Sequence, residues 1–122
     1  MIANIESLSQ FEDIMSNKEK HDKEHIFVDF YAEWCGPCKI VMPEIIKMSE
    51  KYTNVKFVKI CIDGNEELEQ LADIYNISKV PTFMVFKTEQ EDNEPVYQQI
   101  GPDVNKLTFC LDSLDTKKTE DF

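Results

Sequence analysis

No stretch of this chain approaches the roughly twenty consecutive apolar residues that a membrane-crossing helix needs. Nor does a basic segment followed by an apolar run open it. Neither a membrane span nor a secretory leader is therefore expected, and the chain as given reads as cytoplasmic. A transit peptide removed beforehand would leave no trace, so an organelle stays open. Basic residues are also few: 13 against 24 acidic ones give a formal net charge of −11. That balance argues against nucleic acid or an anionic membrane as main partner, and it favours solubility and basic partners. Repeats and a second hydrophobic block are absent. Cysteines number only four in 122 residues, a length that can bury a core without disulfide staples. The expectation is one domain over 1–114 with a polar tail at 115–122.

Two of the four cysteines stand together as Cys35, Gly36, Pro37, Cys38. If a helix starts here, Cys35 lies at its N-terminal end, where unpaired N–H groups and the helix dipole favour thiolate over thiol. Cys35 is then the nucleophile. Cys38, three residues on, shares its helix face and can attack a mixed disulfide formed at Cys35, which makes it the resolving thiol. Pro37 suits a first helical turn, and Gly36 leaves the approach to the sulfurs free of a side chain. A zinc half-site would also use this pair, but Cys61, Cys110, His21 and His25 are scattered singly, so no metal is expected.

The chain around the pair alternates strands and helices. Ile2 to Ile5 reads as an edge strand, Ser7 or Ser9 as a helix cap with Gln10 or Glu12 closing a capping box, and Asn17 to His25 as a solvated loop. Ile26 to Tyr31 reads as a strand covered on both faces, interrupted by Asp29. Alternation puts Asp29 beside Phe27 and Tyr31, where desolvation would raise its pKa and let it handle a proton. Val41, Ile45, Met48 and Tyr52 mark a helix face after the cysteines. In the strand Val55 to Ile62, Lys59 interrupts an apolar face, and Cys61 reads as a small buried hydrophobe. Asn65 caps a third helix that Asn76 ends, and the strand Phe83 to Phe86 follows Pro81. A long acidic connection without glycine, 87–94, leads to the strand Val96 to Ile100 and a last helix marked by Val104, Leu107, Leu111 and Leu114. The order gives an α/β fold, a three-layer αβα sandwich with a central mixed sheet.

The run from Phe27 to Lys39 closely resembles the active-site segment of thioredoxins, and the resemblance extends over nearly the whole chain. It implies a thioredoxin fold and a protein disulfide reductase, re-reduced by a flavin-dependent thioredoxin reductase drawing on NADPH, with no cofactor of its own. Disulfide-bearing substrate proteins such as peroxiredoxins, a role in cell redox homeostasis and a monomeric state go with it. By the same resemblance Asp29 is the proton acceptor for the resolving cysteine, and Lys59 tunes Asp29. Trp34, Val80, a cis Pro81 and Gly101 join Gly36 and Pro37 in the substrate-facing surface. The connection 87–94 departs from the family, which usually joins these strands by a short glycine-containing turn. Two other readings compete. A disulfide oxidase or isomerase would use the same residues, although such proteins commonly carry a histidine between the cysteines. A redox-independent docking module would not need the cysteines.

Overall fold

The computed structural model describes residues 1–119, with side chains to Leu114. In chain order the elements are β1 (Ile2–Asn4), α1 (Leu8–Met15), β2 (His25–Tyr31), α2 (Gly36–Lys51), β3 (Val55–Cys61), α3 (Glu66–Ile74), β4 (Thr82–Lys87), β5 (Tyr97–Ile100) and α4 (Val104–Thr119). The sheet runs β1-β3-β2-β4-β5. β3 is parallel to both β1 and β2, while β4 is antiparallel to β2 and to β5, so the sheet is mixed, as expected.

β2 lies at the centre of the sheet and is covered on both faces. Val28 and Phe30 point to one side, where Phe11 and Ile14 of α1 and Leu68 and Leu71 of α3 complete an apolar cluster. Phe27 points to the other, against Val41 and Ile45 of α2 and Leu107 and Leu111 of α4. Its ring stacks on Phe57 with centroids 4.7 Å apart. Each such side chain, once out of water, contributes about 1.5–3 kcal/mol, which is what fixes the strand's register and both helical layers.

Local chemistry sets the helix ends. Ser7 Oγ accepts the Gln10 N–H at 3.0 Å, and Asn65 Oδ1 accepts that of Leu68 at 3.0 Å, each satisfying a donor with no intrahelical partner. The capping box is displaced by one residue: Gln10 Oε1 accepts the N–H of Glu6, not of Ser7, at 2.7 Å. Asn76, at φ 55°, ends α3 in the left-handed region that asparagine tolerates.

Some expectations need correction. His25 is the first residue of β2, paired with Val55 and Lys87, and not part of the preceding loop. β3 stops at Cys61, one residue before the expected Ile62, and α4 includes residues 115–119 of the polar tail. Residues 120–122 of that tail lie outside the described residues. The glycine-free connection after β4 turns by placing Glu89 and Asn93 at φ 64° and 51°.

Candidate active site

Cys35 and Cys38 are joined as a disulfide at the mouth of α2. Cys35 is the N-cap, and its Sγ accepts the backbone N–H of Cys38 at 3.2 Å. A charge on this sulfur would face the unpaired donors of the first turn, the environment that stabilises a thiolate. Pro37 occupies that turn without wasting a donor. Both sulfur-bearing residues are nearly covered, Cys35 at 4% exposure and Cys38 at 2%, so access runs over a narrow rim. A Cβ at Gly36 would meet nothing within 4 Å, so the space beside the disulfide is open.

The segment just before β4 supplies the opposite wall. The Val80–Pro81 peptide is cis, and Val80 O lies 3.7 Å from Cys35 Sγ. The N–H of Gly101 donates to Pro81 O at 2.9 Å, which brings the end of β5 to the same rim. Gly101 sits at φ 100°, a conformation only glycine adopts cheaply.

Trp34 stands out from the surface, 69% exposed, yet its ring is tethered: Nε1 donates to Asp63 Oδ2 at 3.0 Å. The other Asp63 oxygen accepts from Cys61 Sγ at 3.3 Å. The Trp34 and Cys61 donors together hold the Asp63 carboxyl below its ordinary pKa. Cys61 is therefore a half-exposed thiol at the site's edge, a correction to the buried hydrophobe expected from its place in β3. Burial and its bond to Asp63 push its own pKa up, which keeps it protonated. Asp63 itself was missed by sequence reasoning, because an Asp two residues beyond a strand and next to Gly64 carries only a turn signal.

Asp29 lies in the middle of β2, 1% exposed, on the α2 side of the sheet. Neither carboxylate oxygen has a hydrogen-bond partner from the protein. Desolvation raises its pKa from 3.8 to about 7, against a smaller lowering by the positive charge of Lys59. Lys59 faces Asp29 across the parallel register of β2 and β3. The two form no ion pair among the described residues; the Lys59 ammonium sits over the Tyr31 ring, 5.4 Å from its centroid. The fold thus brings together Trp34, Cys35, Gly36, Pro37, Cys38, Val80, Pro81 and Gly101 at one end of the sheet, with Asp29 and Lys59 on adjacent strands on its α2 side. Among the described residues no three His, Cys, Asp or Glu side chains are placed to hold a metal.

A disulfide at a helix N-terminus, facing the Val80 carbonyl, is built for exchange with other disulfides, which defines the class as thiol–disulfide oxidoreductases. The family model described as Thioredoxin matches residues 4–118, and the chain belongs to the thioredoxin family. It is 36% identical over 96 residues to a thioredoxin of Mycoplasma genitalium, covering 79% of this chain and 86% of that one. To thioredoxin-1 of Saccharomyces cerevisiae it is 35% identical over 91 residues, 75% and 81% of the two chains. A solved structure of Plasmodium falciparum thioredoxin superposes with a TM-score of 0.77 at 30% identity, over 92% of this chain and 98% of that one. No described helix is long and apolar enough to cross a membrane.

Proposed function

We propose that the protein works as a disulfide reductase in a thioredoxin system, with Cys35 as nucleophile and Cys38 as resolving thiol. The Cys35 thiolate attacks one sulfur of a substrate disulfide, forming a mixed disulfide and releasing a substrate thiolate. Cys38 then attacks Cys35 Sγ, forming the internal disulfide and releasing the second substrate thiolate. Two electrons pass to the substrate. Asp29 accepts the proton that Cys38 loses, and the Lys59 charge keeps its pKa from rising further. With no direct hydrogen bond from Asp29 to the protein, that proton travels through water or after a small shift. Trp34, Gly36, Pro37, Val80, Pro81 and Gly101 form the surface on which an extended substrate pairs with the Val80 backbone.

One observation carries this reading: Cys35 Sγ, nearly buried, takes the N–H of Cys38 at the start of α2. The absence of histidine between the cysteines favours reduction over oxidation or isomerisation. Electrons come from NADPH through a thioredoxin reductase, and the protein holds no cofactor. Substrates such as peroxiredoxins, a monomeric state, a cytoplasmic location and service to redox homeostasis complete the proposal, with one domain over 1–114 and a short polar tail. The test is insulin reduction with NADPH and thioredoxin reductase. Wild type turns over, while Cys35→Ser and Cys38→Ser do not. Wild-type failure, with the reductase shown to reduce the Cys35–Cys38 pair, or a strongly oxidising potential in glutathione equilibration, overturns it.

A further inference from the structure

The long connection after β4 folds back over the layer of α1 and α3 and encloses a groove of about 890 Å³, within the size range of ligand sites. Leu8 and Ile74 are its accessible apolar lining, over the buried Met15 and Met84. Ile74, in the last turn of α3, is 61% exposed and lines the groove. The rim carries Glu12, Asp13, Glu89, Glu91, Asp92 and Glu94, and no lysine or histidine lines the groove. Among the described residues the one ion pair reaching this rim is Lys18 to Asp13, at 4.0 Å with Lys18 78% exposed.

Six carboxylates so close repel one another, and a free loop would swing outward to separate them. This one is held in place. The N–H of Glu89 donates to Met15 O at 2.8 Å, and the Tyr75 hydroxyl to Asn93 O at 3.2 Å. The fold therefore keeps an apolar trough and a negative rim together.

We propose that this groove docks an amphipathic segment of a partner protein, its apolar side chains on Leu8 and Ile74 and its lysines or arginines at the acidic rim. The chemistry matches on both counts, since apolar area supplies affinity and complementary charge supplies orientation and encounter rate. The location adds a consequence. The acidic connection leaves β4 at Lys87, which pairs with His25 at the start of β2, whereas Cys35 follows the end of that strand. A partner seated in the groove leaves the disulfide free and is held at high effective concentration near it.

The probe is a lysine–leucine amphipathic peptide of about 14 residues, roughly four helical turns, titrated into full-length protein by fluorescence anisotropy and by amide chemical-shift mapping. A lysine–serine peptide and a glutamate–leucine peptide of equal length are the controls. Expected are binding that weakens with salt, and shifts confined to α1, α3 and residues 88–95. The triple variant Glu89→Gln, Glu91→Gln, Glu94→Gln should weaken it by about tenfold or more, and Ile74→Ser several-fold, with insulin reduction unchanged. Ile74→Ser, a single surface change, decides the matter if the triple variant folds poorly. Equal affinity of either control peptide, shifts centred on Trp34 and Val80, or variants that bind like wild type would each overturn the proposal.

Discussion

Asp29→Asn isolates the cost and the use of the buried carboxyl. In the folded protein its pKa is raised from 3.8 to about 7 by burial. The unfolded chain thus gives up this proton near pH 4 while the native state keeps it to about 7, so the native state binds more protons between those values and stability falls with pH across that window. At about 1.4 kcal/mol per tenfold change in acidity, the penalty reaches about 4 kcal/mol at and above neutral pH. Asparagine never ionises and so escapes it. The neutral amide lacks partners much as the protonated carboxyl does, and that cost nearly cancels. The variant is expected to match wild type near pH 4 and to exceed it by about 3–4 kcal/mol near pH 8 in urea unfolding. Its disulfide exchange at neutral pH should slow by about tenfold or more, because Cys38 has lost its proton acceptor. A stability difference that stays flat over that pH range would refute the electrostatic reasoning. Unchanged exchange kinetics would remove Asp29 from the mechanism.

Lys59→Met removes the charge that opposes burial at Asp29. The pH midpoint of resolution by Cys38, followed by stopped flow, should move to a more alkaline value, and an unmoved midpoint would exclude any tuning role. Gly101→Ala places a side chain at φ 100° where a Cβ meets nothing, so its cost is backbone strain of about 1–2 kcal/mol in urea unfolding. A rise in KM for insulin should accompany it if substrate passes over this rim. Asp63→Ala frees the Trp34 indole and takes away the acceptor that, after burial, adds to the upward push on the Cys61 pKa. Tryptophan emission should change, and Cys61 in the oxidised protein should be alkylated faster near neutral pH, as read by mass spectrometry. An unchanged alkylation rate would separate Cys61 from Asp63.

How much of this was legible in the sequence depended on the range of the interactions. The caps at Ser7 and Asn65, the end of α3 at Asn76 and the helix face through Val41, Ile45 and Met48 are local, and a few residues declare them. Asp29 was legible because alternation in β2 fixed its face, and a carboxyl set between Phe27 and Tyr31 on that face loses its water once a helix covers the strand. Cys61 was misread because alternation gives a face but not the end of the sheet, and at the last residue of β3 that face opens to the surface. The partnership of Asp63 with Trp34 spans 29 residues and leaves no local signature. The acidic connection was recognised as unlike the family's turn. Its positive φ values at Glu89 and Asn93 and the trough beneath it arise only once α1 and α3 are in place.

The sheet's borders are very short, three residues in β1 and four in β5. A strand border is an open invitation to any extended chain, including another copy of the same protein. Here the borders offer so few free backbone groups that a copy gains little by adding there. The Val80 backbone, on which the proposed function pairs a substrate, lies outside the ladder and beside the disulfide. Such a molecule can thus be kept crowded without knitting to itself.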